Sequence, residues 1–386
     1  MTRRELLACA GGLAAVRTLR AAPSSPVAIG RARTYGPELV PVMDKLFDGL
    51  GGLGRLVKGK TVAIKLNLTG VAETRFGCLN NGITYWTHPD VISATIHLME
   101  KAGARRIRLL ESAYSTGDPL HEFLYKANWD PSWFTSAAKN VEFENTNLLG
   151  SGREYVRFKV PGGGLLFDAY DMNHSYEKCD VFVSLAKLKE HATAGITLSI
   201  KNCFGNTPCT IYGDHAGIDA PSLAPRGGRG TIFHYGKRGP SKSSPQEKDP
   251  KSPRDDGYRI PRIIADLVAA RPVDLAIIEG VETISGAEGP WVAGTRHVKP
   301  GVIVAGTNPV CTDAVATAVM GFDPMADRGK APFEACDNTM RLAEELGVGT
   351  RDLSRIDVAG MKIEDARFVF RKPGEPPAWL NRRRRG

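Results

Sequence analysis

Short apolar runs of strand length, with little of the alternation that a half-solvated strand shows, set the first constraint on this chain. They are TVAIKLN (61–67), RRIRLLE (105–111), DVFVSLA (180–186), VDLAIIE (273–279) and GVIVAG (301–306). Strands that stay apolar on successive residues need cover on both faces. Helical spacing appears between them at 89–102, 193–203, 259–270 and 309–320. The combination predicts an α/β fold, a mainly parallel twisted sheet with helices on both faces. The shorter, more polar runs 140–145, 154–160 and 165–171 read as a small antiparallel excursion. Residues 207–258 are dense in Gly, Pro, Lys and Ser and read as a long irregular insertion, with 221–258 its flexible part. At 386 residues and 42% hydrophobic content the chain can bury a sizeable core, and 25–370 read as a single domain.

The formal net charge of +9 would suit a polyanion partner, but its location argues against one. Arg3, Arg4, Arg17 and Arg20 against Glu5 put about +3 into residues 1–22. The tail 371–386 ends in Arg382 to Arg385, about +4, and 221–258 holds about +4 more. The rest of the chain is then about −2. No basic stripe interleaved with aromatics remains, which argues against nucleic acid. The start itself, MTRRELLACAGGLAAV, pairs two arginines with an apolar run too short to span a bilayer. Residues 1–24 therefore read as a twin-arginine-like export signal, placing the protein in the periplasm or outside the cell. No other segment approaches transmembrane length.

The chain has 7 cysteines, with no CxxC pair and no iron–sulfur motif. In an oxidising compartment Cys203 and Cys209 become candidates for a disulfide. No structural metal site is visible, and the cofactor is left open.

The strand ends carry the chemistry. Residues two apart in an extended chain face the same side, so Lys187, Lys189 and His191 are expected to project together, as are Lys65, Asn67 and Thr69. Glu111 and Glu279 end two further strands. The last run leads into Asn308, a natural helix cap before Pro309, with Asp313 one turn on. Lys201 and Asn202 close the helical stretch after Lys189. Open parallel sheets bind ligands at the carboxyl ends of their strands, and lysines gathered there need a counter-charge. The acidic residues supply part of it and a bound anion the rest.

These stretches resemble the bacterial and archaeal family catalogued as domain of unknown function 362. The resemblance rests on IKLN (64–67), THPDVISATIHLMEKAGARRIRLLES (87–112), CDVFVSLAKLKEHATAGITLSIKNCFGN (179–206), VDLAIIEGVETISGAEGP (273–290) and VIVAGTNPVCTDAVATAVMGFDP (302–324). It covers about 60–325 and implies an architecture and a motif set rather than a reaction. It also draws attention to His88, just before a helix, where backbone N–H groups favour an anion or a neutral imidazole. Many relatives carry ferredoxin-type cysteine clusters, which this chain lacks.

The expected function is an enzyme acting on a small anionic substrate, carboxylate or phosphate. Lys65, Asn67, Lys187, Lys189, Lys201, Asn202 and Asn308 would bind it, and His88, His191, Glu279 and Asp313 would move protons. One alternative is a non-catalytic periplasmic binding protein for an anion. Another is a redox- or metal-linked accessory protein with a redox partner and a cation among Glu111, Glu279, Asp313 and a histidine, for which no HxH, HExxH or DxD spacing speaks. Mass spectrometry of the protein from its native host checks the export reading. About the first twenty residues should be missing, and an intact N-terminus in a cytoplasmic fraction would refute it.

Overall fold

The computed structural model describes residues 21–150 and 152–380. The paired arginines at the start and the Arg382–Arg385 run lie outside the described residues. Ala22 and Pro23, at the end of the expected signal, accept hydrogen bonds from Arg355 and Thr350 and so lie against the body of the protein.

Strands β1 (Val27–Arg31), β2 (Thr61–Lys65), β3 (Arg106–Glu111) and β4 (Val141–Asn145) precede a hairpin of β5 (Val156–Lys159) and β6 (Ala169–Met172). Next come β7 (Val181–Lys187) and a minimal ribbon of β8 (Glu190–His191) and β9 (Gly195–Ile196). Then follow β10 (Leu275–Gly280), a second ribbon of β11 (Thr283–Ser285) and β12 (Arg296–Val298), β13 (Val302–Gly306) and β14 (Val358–Gly360). Eight of them form one sheet in the order β14-β1-β13-β10-β7-β2-β3-β4. It is the expected α/β sheet, mostly parallel.

Successive residues of each central strand serve opposite cores. In β7, Val181, Val183 and Leu185 join the core under helices Leu39–Gly49, Pro89–Lys101 and Leu120–Lys126. Phe182 and Ala186 join the other, under helices Asp256–Ala270, Pro309–Val319 and Thr339–Glu345. Burial on both sides is why these runs read as continuously apolar.

Three expectations need correction. The run 140–145 is not part of an antiparallel excursion, because β4 pairs in parallel with β3 after a crossover through helix Leu120–Lys126. Only β5 and β6 make the antiparallel hairpin. β13 runs antiparallel to both β10 and β1, since the chain returns from β10 through the β11–β12 ribbon with no crossover helix. The helix expected over 193–203 is confined to Leu198–Asn202. The β8–β9 ribbon occupies its first half, and Gly195 at φ 72° allows the tight turn. A Cβ there would meet Phe333 Cδ1 at 2.5 Å.

The insertion is irregular, as its composition predicts, but it is anchored. Ile232 and Phe233 are buried, and Phe233 stacks on Tyr212 at a centroid distance of 4.7 Å. Glu247 bonds Arg259 at 2.8 Å, and that guanidinium, 1% exposed, also donates to the Phe233 and Ile232 carbonyls. The most exposed large apolar side chains of the insertion lie earlier, with Ile218 at 65% and Leu223 at 99%. Limited proteolysis should therefore cut first near 218–224 and spare 237–256. Glu247→Gln leaves a buried guanidinium without its counter-charge and should lower stability by about 3 kcal/mol in urea denaturation, while opening 237–256 to cleavage.

Candidate functional site

The chain runs outward from β2 through β3 to β4 on one side, and from β7 to β10 on the other. Between β2 and β7 the sheet has its switch point, where carboxyl ends diverge and leave a crevice. A cleft of about 590 Å³ lies there, and the insertion walls it in. Lys65, Asn67, His191, Lys201 and Asn202 line it as expected, with Glu111. Ser112, Phe204, Asp214, Arg229, His234 and Glu288 line it as well, and the sequence reading did not propose them.

The floor is a closed polar unit. Lys65 Nζ lies 2.6 Å from Glu111 Oε1 and donates to the Leu66 carbonyl at 2.6 Å and to Asn202 Oδ1 at 3.3 Å. Burial lowers the Lys65 pKa against the pull of Glu111, which holds the proton on. Asn202 ties β2 to β7, because its Nδ2 donates to the Lys65 carbonyl and to Ser184 Oγ while its Oδ1 also accepts from Asn67 Nδ2. A Cβ on Gly205 would come within 2.7 Å of Lys65 Nζ, so the pair requires glycine there. Asn67 Oδ1 is buried without a partner.

Lys201 and Arg229 stand over this floor. Lys201 Nζ sits 4.3 Å from the centroid of the Phe204 ring and makes no hydrogen bond to the described residues. Burial, with Arg229 and Lys65 close by and Glu288 opposing them, brings its pKa down to about 7. Arg229 spends Nε and Nη2 on the Thr207 carbonyl and Ser112 Oγ, and its Nη1 bonds none of the described residues. His191 Nδ1 accepts from the Thr193 N–H at 3.1 Å, which leaves the proton of the neutral ring on Nε2. Burial and the neighbouring lysines hold His191 well below its usual pKa, and burial with Lys201 takes His234 down to about 4. Glu288 accepts from the Ala192 N–H and from Trp291 Nε1, both at 3.0 Å. Val71, Tyr114, Tyr235 and Trp291, each between 39% and 45% exposed, surround the mouth.

The family described as Domain of unknown function (DUF362) matches this chain over residues 62–318, from β2 to the end of helix Pro309–Val319. This chain belongs to the DUF362 family. It is similar to the thylakoid-associated protein sll1697 of Synechocystis sp. (strain ATCC 27184 / PCC 6803 / Kazusa), at 24% identity over 329 residues, covering 83% of this chain and 79% of that protein. Every residue that lines the cleft falls within the DUF362 match.

The other expected site residues lie elsewhere. Parallel pairing of β7 with β10 sets Lys187 opposite Glu279, and their side chains meet at 2.6 Å, both at 0% exposure. Tyr35 donates to Glu279 at 2.8 Å and stacks on His88 at 3.5 Å, so Lys187, Glu279 and His88 form a separate buried cluster. His88 caps helix Pro89–Lys101 by accepting from the Asp90 N–H, and burial holds its pKa near 3. Lys189 is buried behind the cleft wall on the Tyr85 and Glu288 carbonyls at 2.6 and 3.1 Å. Lys187 likewise bonds the Gly82 carbonyl, so the period-two spacing aims both amines at the same loop instead of the cleft.

Asn308 is carried to the opposite edge of the sheet by the reversal of β13, and there it caps helix Pro309–Val319. Asp313 is buried and accepts from the Ser199 and Ile200 N–H groups at 2.9 Å and from Ser199 Oγ. It holds the start of helix Leu198–Asn202 just after Leu198, whose φ is 43°. Asp313 thus acts on the cleft only by placing Lys201 and Asn202.

Cys203 and Cys209 are free thiols, and the Cys203 thiol points back at the Ser199 carbonyl at 3.5 Å, so the expected disulfide is not formed. Among the described residues no three His, Cys, Asp or Glu side chains are grouped to hold a metal ion.

Arg229 and His234 were missed because the insertion reads as flexible. The signal was TIFHYG (231–236), the one apolar run in it. For the buried pair the expected outcome changes accordingly. Lys187→Ala should cost about 3–5 kcal/mol in urea unfolding and leave anion affinity unchanged. Lys187→Met with Glu279→Gln should recover part of that stability. A stable Lys187→Ala protein with weakened anion binding would contradict this placement.

Proposed function

We propose that the cleft binds a small substrate with an anionic group, carboxylate or phosphate, and performs acid–base chemistry on it. One observation carries this reading. Lys201 and Arg229 share the cleft, and neither makes an ion pair with the described residues, whereas Lys65 and Lys187 each hold a carboxylate at 2.6 Å. Cationic groups without a counter-charge in a partly desolvated cleft favour an anion there. His191, His234 and Glu288 supply proton donors and acceptors beside them. The aromatic rim suits an apolar or ring-shaped body behind the anionic head. Export through the twin-arginine-like start belongs to this reading and rests on Arg3, Arg4 and the short apolar run alone.

A binding protein without turnover is the second reading. It is favoured by the carboxylates of Glu111 and Glu288, both already engaged by donors.

Titration calorimetry with sulfate and with oxalate, whose charges are the same at about pH 6 and about pH 9, tests the anion site. Binding favours protonated Lys201, so affinity should fall as pH rises through about 7. Arg229→Met should weaken binding about 10- to 150-fold, the loss of one charge-assisted contact. Lys201→Met should bind with little dependence on pH. Wild-type protein that binds neither anion, or an Arg229→Met variant that binds both normally, would refute the reading.

A further inference from the structure

We propose that Lys201 is an imine-forming nucleophile, and that the cleft takes an aldehyde or ketone that also bears an anionic group, of which a 2-oxo acid is the simplest. The proposal rests on the anion-site reading above and names the chemistry and substrate class of that site.

The argument begins with the four lysines near the carboxyl edge. To attack a carbonyl, an amine must offer a lone pair on a free Nζ. Lys65 is held by Glu111 at 2.6 Å and by the Leu66 carbonyl. Lys187 is held by Glu279 at 2.6 Å and by the Gly82 carbonyl at 2.8 Å. Lys189 is held by two carbonyls and by Thr69 Oγ1 at 3.4 Å. Burial lowers the pKa of all three, but these acceptors occupy each Nζ and hold it in place, so none of them is free to attack. Lys201 has no such acceptor among the described residues, and it opens onto the cleft beside the ring of Phe204.

Its position is fixed although its head is free. Asp313 holds the first turn of helix Leu198–Asn202, and Asn202, the next residue, is bonded to both β2 and β7. A nucleophile on such a support keeps its aim. The guanidinium of Arg229 lies over the same ring at 5.5 Å, and a like charge beside a desolvated lysine favours the free amine. The pKa of about 7 agrees with that environment.

The chemistry balances without an oxidant or reductant. The Nζ lone pair forms a bond to the carbonyl carbon, and the π pair moves to oxygen, which takes a proton. Nζ gives up a proton to a neighbouring base, and a second proton on the oxygen lets it leave as water. The C–O bond breaks and a protonated C=N bond remains. His191 Nε2–H is placed to hydrogen-bond the carbonyl oxygen, and the two protons that oxygen takes arrive through His234 or Glu288, one passed on from Nζ and one from solvent. His234 and Glu288 are the acceptors, there and for a proton on the carbon next to the imine. Arg229 Nη1 is left to hold the anionic group.

Reductive trapping tests the assignment on the full-length protein. It is incubated with pyruvate, glyoxylate or acetaldehyde and sodium cyanoborohydride, then examined by intact mass and peptide mapping. One adduct should form at Lys201, at least about a hundredfold faster than at surface lysines, whose pKa near 10.4 keeps them protonated. Its rate should rise with pH through about 7. Lys201→Arg should lose the adduct. No adduct with any of the three compounds, or labelling that spreads over surface lysines alone, overturns the proposal. If sulfate binds and trapping fails, the imine chemistry falls and the anion site stands. If acetaldehyde traps Lys201 while no anion binds, the nucleophile stands and the anionic half of the substrate class falls.

Discussion

Burying ammonium groups at the carboxyl edge of a parallel sheet is the constraint around which this site is organised. Each buried lysine costs several kcal/mol in lost hydration unless a carboxylate and further acceptors replace the water. Strand pairing provides the replacement. The register of β7 with β10 sets Lys187 against Glu279, and β3, beside β2, ends in the Glu111 that meets Lys65. Both pairs sit at strand ends, where side chains turn from the cores toward the loops. Lys189 lacks a carboxylate but collects backbone carbonyls. Once those three are satisfied, Lys201 is the lysine of the set left facing the cleft without an acceptor among the described residues.

The placement of that lysine depends on two distant elements. Helix Leu198–Asn202 is only 5 residues long, too short to be stable by itself. Asp313 supports its start from the neighbouring helix Pro309–Val319, and Asn202 ties its end to β2 and β7. Buried polar groups of this kind stabilise little in net terms, since desolvation offsets most of the gain. Their effect is positional. The same holds for Gly205, whose missing side chain leaves room for the Lys65–Glu111 pair beneath the cleft.

The insertion completes the site from the other side. Its composition reads as flexible because it lacks apolar periodicity, yet Ile232 and Phe233 and the Glu247–Arg259 pair bind it to helix Asp256–Ala270 and to Tyr212. That anchoring brings Arg229 and His234 over the strand ends. A segment with only two short helical turns, Cys209–Tyr212 and Gly230–His234, can supply site residues when a few buried contacts fix its backbone.

The layered sheet, the two-sided burial of its central strands and the family motifs were legible in the sequence, because apolar periodicity and strand-end polarity are local patterns. So was the gathering of Lys65, Asn67, His191, Lys201 and Asn202 at one edge, since each follows directly on a strand or its loop. Tertiary structure alone decided which cations were already paired. Lys187 and Glu279 meet only through strand register, and nothing near either residue records that partner. The reversal of β13, which carried Asn308 to the far edge, came from the missing crossover helix. The recruitment of Arg229 came from packing of an irregular segment whose anchors, Phe233 and Glu247, find their partners only once the sheet and its helices are assembled.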